Sequence, residues 1–135
     1  MSANTAAIFP INGKIAFGTI LTANTAKDGT GTVVTVFTAG TNGSRVDTIK
    51  VRYTGTCVAT VLRIFINNGS VNTTATNNTL YYEQSIPACT LTETAAQTDI
   101  EIPMDIVLPI GYKINITIGT TIAAALAVTT CGGDY

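Results

Sequence analysis

The chain has 135 residues, 46% of them hydrophobic and only 11% charged, with seven Lys and Arg against eight Asp and Glu for a formal net charge of −1 and no histidine. The charged share is less than half of the roughly 25% of an average soluble domain. With no basic run to neutralise several phosphates at once, direct nucleic-acid binding is not expected. The absence of histidine excludes Ser-His-Asp and Cys-His catalysis and any imidazole-based metal site.

The length corresponds to one domain that buries a core without metal or disulfide staples. The first residues, MSANTAAIFPINGK, carry neither a basic n-region nor an apolar h-region. The longest apolar window, Ile122 to Val128, falls well short of the roughly 20 residues that cross a bilayer. Synthesis in a cytoplasm and no membrane partner are therefore expected. Residues 1–13 read as an N-terminal arm, distinct from a domain over 14–135. Ile8, Phe9 and Pro10 show no strand-turn pattern, so the arm either orders on a neighbour or frays.

From residue 14 onward, period-two alternation of Val, Ile and Thr between Gly- and Asn-rich breaks predicts about eight strands. They are placed at Lys14–Thr22, Thr32–Thr38, Arg45–Thr54, Ala59–Asn67, Thr79–Ile86, Asp99–Val107, Tyr112–Ile118 and Ala123–Thr130. The final CGGDY is read as a turn. Strands at this spacing without helices between them define an all-β, antiparallel β-sandwich of jelly-roll type, with strand order left open. In the third strand Ile49, Val51 and Tyr53 face one way and Lys50 and Arg52 the other. Arg45 and Asp47 are positioned for a local ion pair or an inter-subunit contact. In the seventh, Lys113, Asn115 and Thr117 form the expected wet face opposite Ile114, Ile116 and Ile118. Pro103 puts the sixth strand at an edge or a bulge, because proline donates no ladder hydrogen bond. The fourth strand is apolar on both faces, so Val61, Arg63 and Phe65 either lie deep in the domain or meet another subunit.

The chemistry-bearing residues form no recognisable catalytic set. Cys57, Cys89 and Cys131 are odd in number and widely spaced, without a CxxC pair, and read as simple thiols in a reducing compartment. Asp99, Glu101 and Asp105 share one strand face, but with five Tyr, four Phe and no Trp there is little to line a glycosidase cleft. They read as charges that guard an edge. The DxDxDG calcium loop is absent, and GTGT and AGTNG match neither phosphate-binding glycine motif. The sequons at Asn42, Asn68, Asn72, Asn77 and Asn115 read as turn and strand residues. Not an enzyme, and no cofactor, is the expectation. A carbohydrate-binding role through Tyr53, Tyr81, Tyr82 and Tyr112 stays open.

Several blocks together carry a family likeness: TGTVVTVFTAGTNGSRVDTIKV, ATVLRIFINNG, LYYEQSIPA, LPIGYKINITIGT and the closing GGDY. Over residues 14–135 the chain resembles small virion-associated proteins of tailed phages and prophages. The resemblance implies a capsid decoration or auxiliary head protein on the virion surface, made in the bacterial cytoplasm, with a tail or fibre component as the alternative. Its implied partners are the major capsid protein or other virion proteins, and further copies of itself in a closed homo-oligomer such as a trimer. The candidate interface comprises Ile8 and Phe9 on the arm, Lys50 and Arg52 on the third strand, and Val61, Arg63 and Phe65 on the fourth.

Overall fold

The computed structural model describes residues 7–135; positions 1–6 of the expected arm lie outside the described residues. Eight strands follow in order: β1 (Asn12–Ile20), β2 (Val34–Thr38), β3 (Ser44–Tyr53), β4 (Thr60–Asn67), β5 (Asn78–Ile86), β6 (Ile100–Leu108), β7 (Lys113–Ile118) and β8 (Leu126–Asp134). One 3-10 turn, Ala75–Asn77, precedes β5. Each strand overlaps its sequence prediction, because alternating Val, Ile and Thr suit a pleated, half-buried surface and Gly-Asn clusters end each run.

The strands form two four-stranded sheets, β1-β8-β3-β6 and β2-β7-β4-β5. Every neighbouring pair is antiparallel. The pairings β1 with β8, β2 with β7, β3 with β6 and β4 with β5 are those of one long antiparallel ribbon rolled up so that its strands divide between two sheets. That is the jelly-roll order. Between the sheets, Val46, Ile49 and Val51 of β3, Ile102 and Met104 of β6, and Leu126 and Val128 of β8 share one buried cluster with Val36 and Phe37 of β2, Leu62 and Ile64 of β4, and Ile114, Ile116 and Ile118 of β7. Complete burial of each such Ile or Leu stabilises by roughly 1.5–3 kcal/mol. A bulge at Thr35/Phe37 lets two consecutive residues of β2, Val36 and Phe37, both reach this core. The buried Thr130 hydroxyl lies 2.8 Å from the Ala16 carbonyl of its own sheet and 2.9 Å from the Val36 carbonyl of the other, so its single proton is shared where the two sheets meet.

Two features depart from the alternation pattern. CGGDY is not a terminal turn: β8 continues to Asp134 between β1 and β3. Its glycines allow this, since a Cβ on Gly132 would stand 2.0 Å from the Arg45 carbonyl oxygen, where β3 is bulged between Val46 and Thr48. The second departure is the β7 face of Asn115 and Thr117, which is buried rather than wet. Two loops, residues 21–33 and 68–77, fold over it. Asn72 Nδ2 donates to the Gly29 and Gly31 carbonyls at 3.1 and 2.8 Å, and Asn24 Nδ2 to those of Thr30 and Thr32 at 2.9 and 2.7 Å. Asn78 Nδ2 donates to the Asn72 carbonyl at 2.9 Å, Asn67 Nδ2 to Asn78 Oδ1 at 2.8 Å, and Thr35 Oγ1 to Asn115 Oδ1 at 2.7 Å. The Asn-rich segment is thus a clasp of side-chain amides that satisfies loop carbonyls.

One end of the first sheet is tied by a polar corner. The Ser44 hydroxyl donates to the Asp134 carboxylate, which also accepts from Lys14 Nζ at 3.3 Å. The same ammonium donates to the Thr38 carbonyl at 2.5 Å and lies 4.9 Å from the centre of the Phe37 ring. The Ser44 hydrogen bond, followed by that of Lys14, holds the Asp134 carboxyl below its ordinary pKa.

Gly132→Ala should therefore lower stability by about 3 kcal/mol or more, because the clash is with backbone. Gly13→Ala, where nothing lies within 4 Å, should leave stability nearly unchanged. Urea titration distinguishes the two. A carboxyl whose folded pKa is depressed contributes stability that is complete above its unfolded pKa and lost as pH falls through the folded one. The advantage of the native chain over Asp134→Asn should thus be constant from neutral pH to about 5, begin to fall near pH ~4 as the unfolded chain's carboxyl takes up its proton, and be lost only as pH drops further through the folded pKa, measured as unfolding midpoints across that range.

Candidate surfaces for interaction

The outer face of the first sheet is divided into a charged half and an apolar half. On β3 and β6 the charges pair with each other. Arg45 Nε lies 2.7 Å from Asp47, and Arg45 Nη2 lies 3.2 Å from Asp105. Lys50 Nζ lies 3.5 Å from Glu101 and 4.0 Å from Asp99, while Arg52 Nη2 lies 2.7 Å from Asp99. All are substantially exposed, so solvent screens them and each contributes little to stability. The expected Arg45–Asp47 pair is present as a local contact. Lys50 and Arg52 project to solvent as alternation requires, but acids of their own sheet already meet their charge. Pro103 lies on edge strand β6 and flanks that strand's own bulge against β3, where Met104 and Asp105 stand against Asp47, so both of the positions allowed to it coincide.

The apolar half is carried by β1 and the segment before it. Ile8, Phe9, Ile11, Ile15 and Phe17 are all between 59 and 79% exposed. Ile15 and Phe17 alternate outward along β1, which is an edge strand paired with β8 on one side. The Ile11 amide donates to the Asp134 carbonyl at 2.9 Å and extends that ladder. Pro10 then crosses above Gly133, and Ile8 borders an open hollow of about 500 Å³ with Asn42, Val107 and Tyr135. The exposed Val107 continues the apolar surface toward β6. Ile8 and Phe9 are therefore accessible, and Ile11, Ile15 and Phe17 join them. These three escaped notice in the sequence because an alternating strand predicts which residues share a face, not which face meets the core.

The β4 residues are differently placed. Val61 is half-buried, and Phe65 is completely buried. Phe65 belongs to the outward set of β4, opposite Asn115 of β7, on the side that the loops cover. It offers nothing to a neighbour, and of the two readings of this strand the deep one holds for it. Arg63 is also mostly enclosed, with its Nε 2.8 Å from Glu83. Among the described residues, neither its Nη1 nor the hydroxyl of Thr117, its register partner, has a hydrogen-bond partner.

The opposite edge of the second sheet, β5, exposes Leu80, Tyr81 and Tyr82. Tyr53 is instead buried, and its hydroxyl donates to the Pro87 carbonyl at 2.5 Å. Burial raises the Tyr53 pKa, with Cys89 and Cys57 nearby adding to the shift. Those two thiols belong to the β3–β4 and β5–β6 connections, which meet in one antiparallel bridge. Among the described residues, no three of His, Cys, Asp and Glu gather in a group able to hold a metal ion.

No family model matches the chain, and no curated protein matches it. Among solved structures it is similar to the T13 particle of infectious bursal disease virus, at 17% identity and a TM-score of 0.35 over 89% of this chain and 31% of that one. A mutant VP2 protein of the same virus in derived T=1 particles gives 19% identity and a TM-score of 0.33, over 89% and 32% of the two chains. The Gx strain structure gives 18% and 0.33, over 98% and 39%. The chain thus spans about a third of the length of each. At this distance the likeness carries no argument about role, and the jelly-roll assignment rests on the strand order itself.

Proposed function

We propose that the chain is a non-enzymatic structural protein of a phage virion, a decoration or auxiliary protein of the head that packs against the capsid lattice and against further copies of itself. The observation that carries this reading is the exposed apolar surface formed by Ile8, Phe9, Ile11, Ile15 and Phe17 on a domain with so little charge. Large apolar surface left on one side of a sandwich has a high cost in water and is relieved by a partner. The Thr- and Asn-rich remainder suits contacts with many neighbours in an array, where weak interfaces add through multivalency. The block resemblance to virion-associated phage proteins supports the same reading. In it, residues 8–17 are the main contact, with Val61 at most at a margin, while Lys50 and Arg52 set orientation through their paired charges.

Exposed Tyr81 and Tyr82, adjacent on edge strand β5, favour a second reading: a glycan-binding module for host attachment. Loss of glycan binding in Tyr82→Ala would support it, and no binding across a broad glycan panel would remove it.

For the head reading, the polypeptide should be recovered from gradient-purified particles in copy numbers comparable to the major capsid protein. Phe17→Asp together with Ile15→Asp should reduce incorporation at least tenfold while leaving the urea midpoint of the free protein within error. Absence from purified particles contradicts the reading. A few copies at one vertex would transfer the protein to the tail.

A further inference from the structure

We propose that Cys57 and Cys89 form a redox-responsive staple that locks the β3–β4 connection to the β5–β6 connection. The two residues face each other in an isolated antiparallel bridge, and each amide donates to the other's carbonyl, at 2.9 and 3.0 Å. Directly opposed residues that exchange both hydrogen bonds have Cα atoms about 5.5 Å apart. Disulfides form at Cα separations of about 4.4–6.8 Å. Opposed residues in an antiparallel pair also send their side chains to the same side. Both thiols here pack on the inter-sheet core, Cys57 buried and Cys89 at its margin.

Each partner suits a different step. Cys89 is the accessible thiol, so its thiolate attacks an external disulfide such as oxidised glutathione, expels one glutathione thiolate and holds the other half as a mixed disulfide. Cys57 rests with its thiol donating to the Ala124 carbonyl at 2.9 Å. After losing its proton to solvent, Cys57 attacks the Cys89 sulfur and releases the second glutathione thiolate. Two protein thiols are oxidised by two electrons to one disulfide, and one glutathione disulfide is reduced to two thiols. Cys131 takes no part: it lies on β8 opposite Ile15 and Thr48.

The surrounding contacts hold the same two connections in place and so favour ring closure over exchange with other thiols. Gln97 clamps Tyr53 through its side-chain amide, accepting from the Tyr53 amide at 2.7 Å and donating to its carbonyl at 3.1 Å. The staple is open in a reducing cytoplasm and closes on transfer to an oxidising medium.

The purified protein incubated with oxidised glutathione, alkylated and digested with trypsin tests this directly. The expected product is a cross-link between peptides 53–63 and 64–113, with free thiols falling from three to one and Cys131 in peptide 114–135 still alkylated. The melting temperature should rise on the order of 10 °C relative to the reduced form. Cys89→Ser, at the half-buried position, should fold yet show neither the link nor the shift. A persistent glutathione adduct on Cys89 beside a free Cys57, or a link from either to Cys131, would overturn the proposal.

Discussion

The insertion of β8 between β1 and β3 is the constraint on which the rest of the molecule depends. It requires the β8 backbone to pass against the Arg45 carbonyl at Gly132, where any side chain would collide. With that approach allowed, the last strand completes the first sheet, Thr130 lies where the two sheets meet, and Asp134 reaches Ser44 and Lys14 at the corner. The surface ion pairs contribute little beside this, since each is exposed while the core residues they flank are dry.

The same arrangement determines which surfaces are free. In the second sheet, amide side chains roof part of the outer face with loops, so Phe65, Asn115 and Thr117 are sealed. In the first sheet no loop among the described residues covers β1, and Ile15 and Phe17 remain exposed with the segment leading into them. One outer face is partly roofed by the chain's own loops, and the other presents apolar surface to whatever lies beside it. In the proposed virion role, that exposed face is the side that would pack on a neighbour.

Local rules recovered most of the strands because period-two alternation and turn residues are local signals. Pro103 marked its edge for the same reason. The pairings of β1 with β8 and of β2 with β7 join residues 75 (Thr38 to Lys113) to 122 (Asn12 to Asp134) positions apart, and no local pattern reports them. GGDY was misread because glycine marks both a turn and a close backbone approach, and only the neighbour at Arg45 separates the two. Asn115 and Thr117 have the polarity of a wet face, yet both are buried, because a polar side chain on a strand also serves loops that fold back. Cys57 and Cys89 looked unrelated because their bridge joins two connections rather than one motif. Of the candidate interface, Ile8 and Phe9 were legible as apolar residues outside any core pattern. Ile15 and Phe17 became visible only once the sheet placed Ala16 and Gly18 on the inner side.

The most direct measurement is the orientation of the domain in an assembled particle, from an electron cryomicroscopy map that resolves its strands. The apolar outer face of β1 and residues 8–11 should be buried against a neighbouring subunit, with edge strand β5 pointing away. A map in which Ile15 and Phe17 face solvent while another surface makes the lattice contacts would contradict the assignment of this face to assembly.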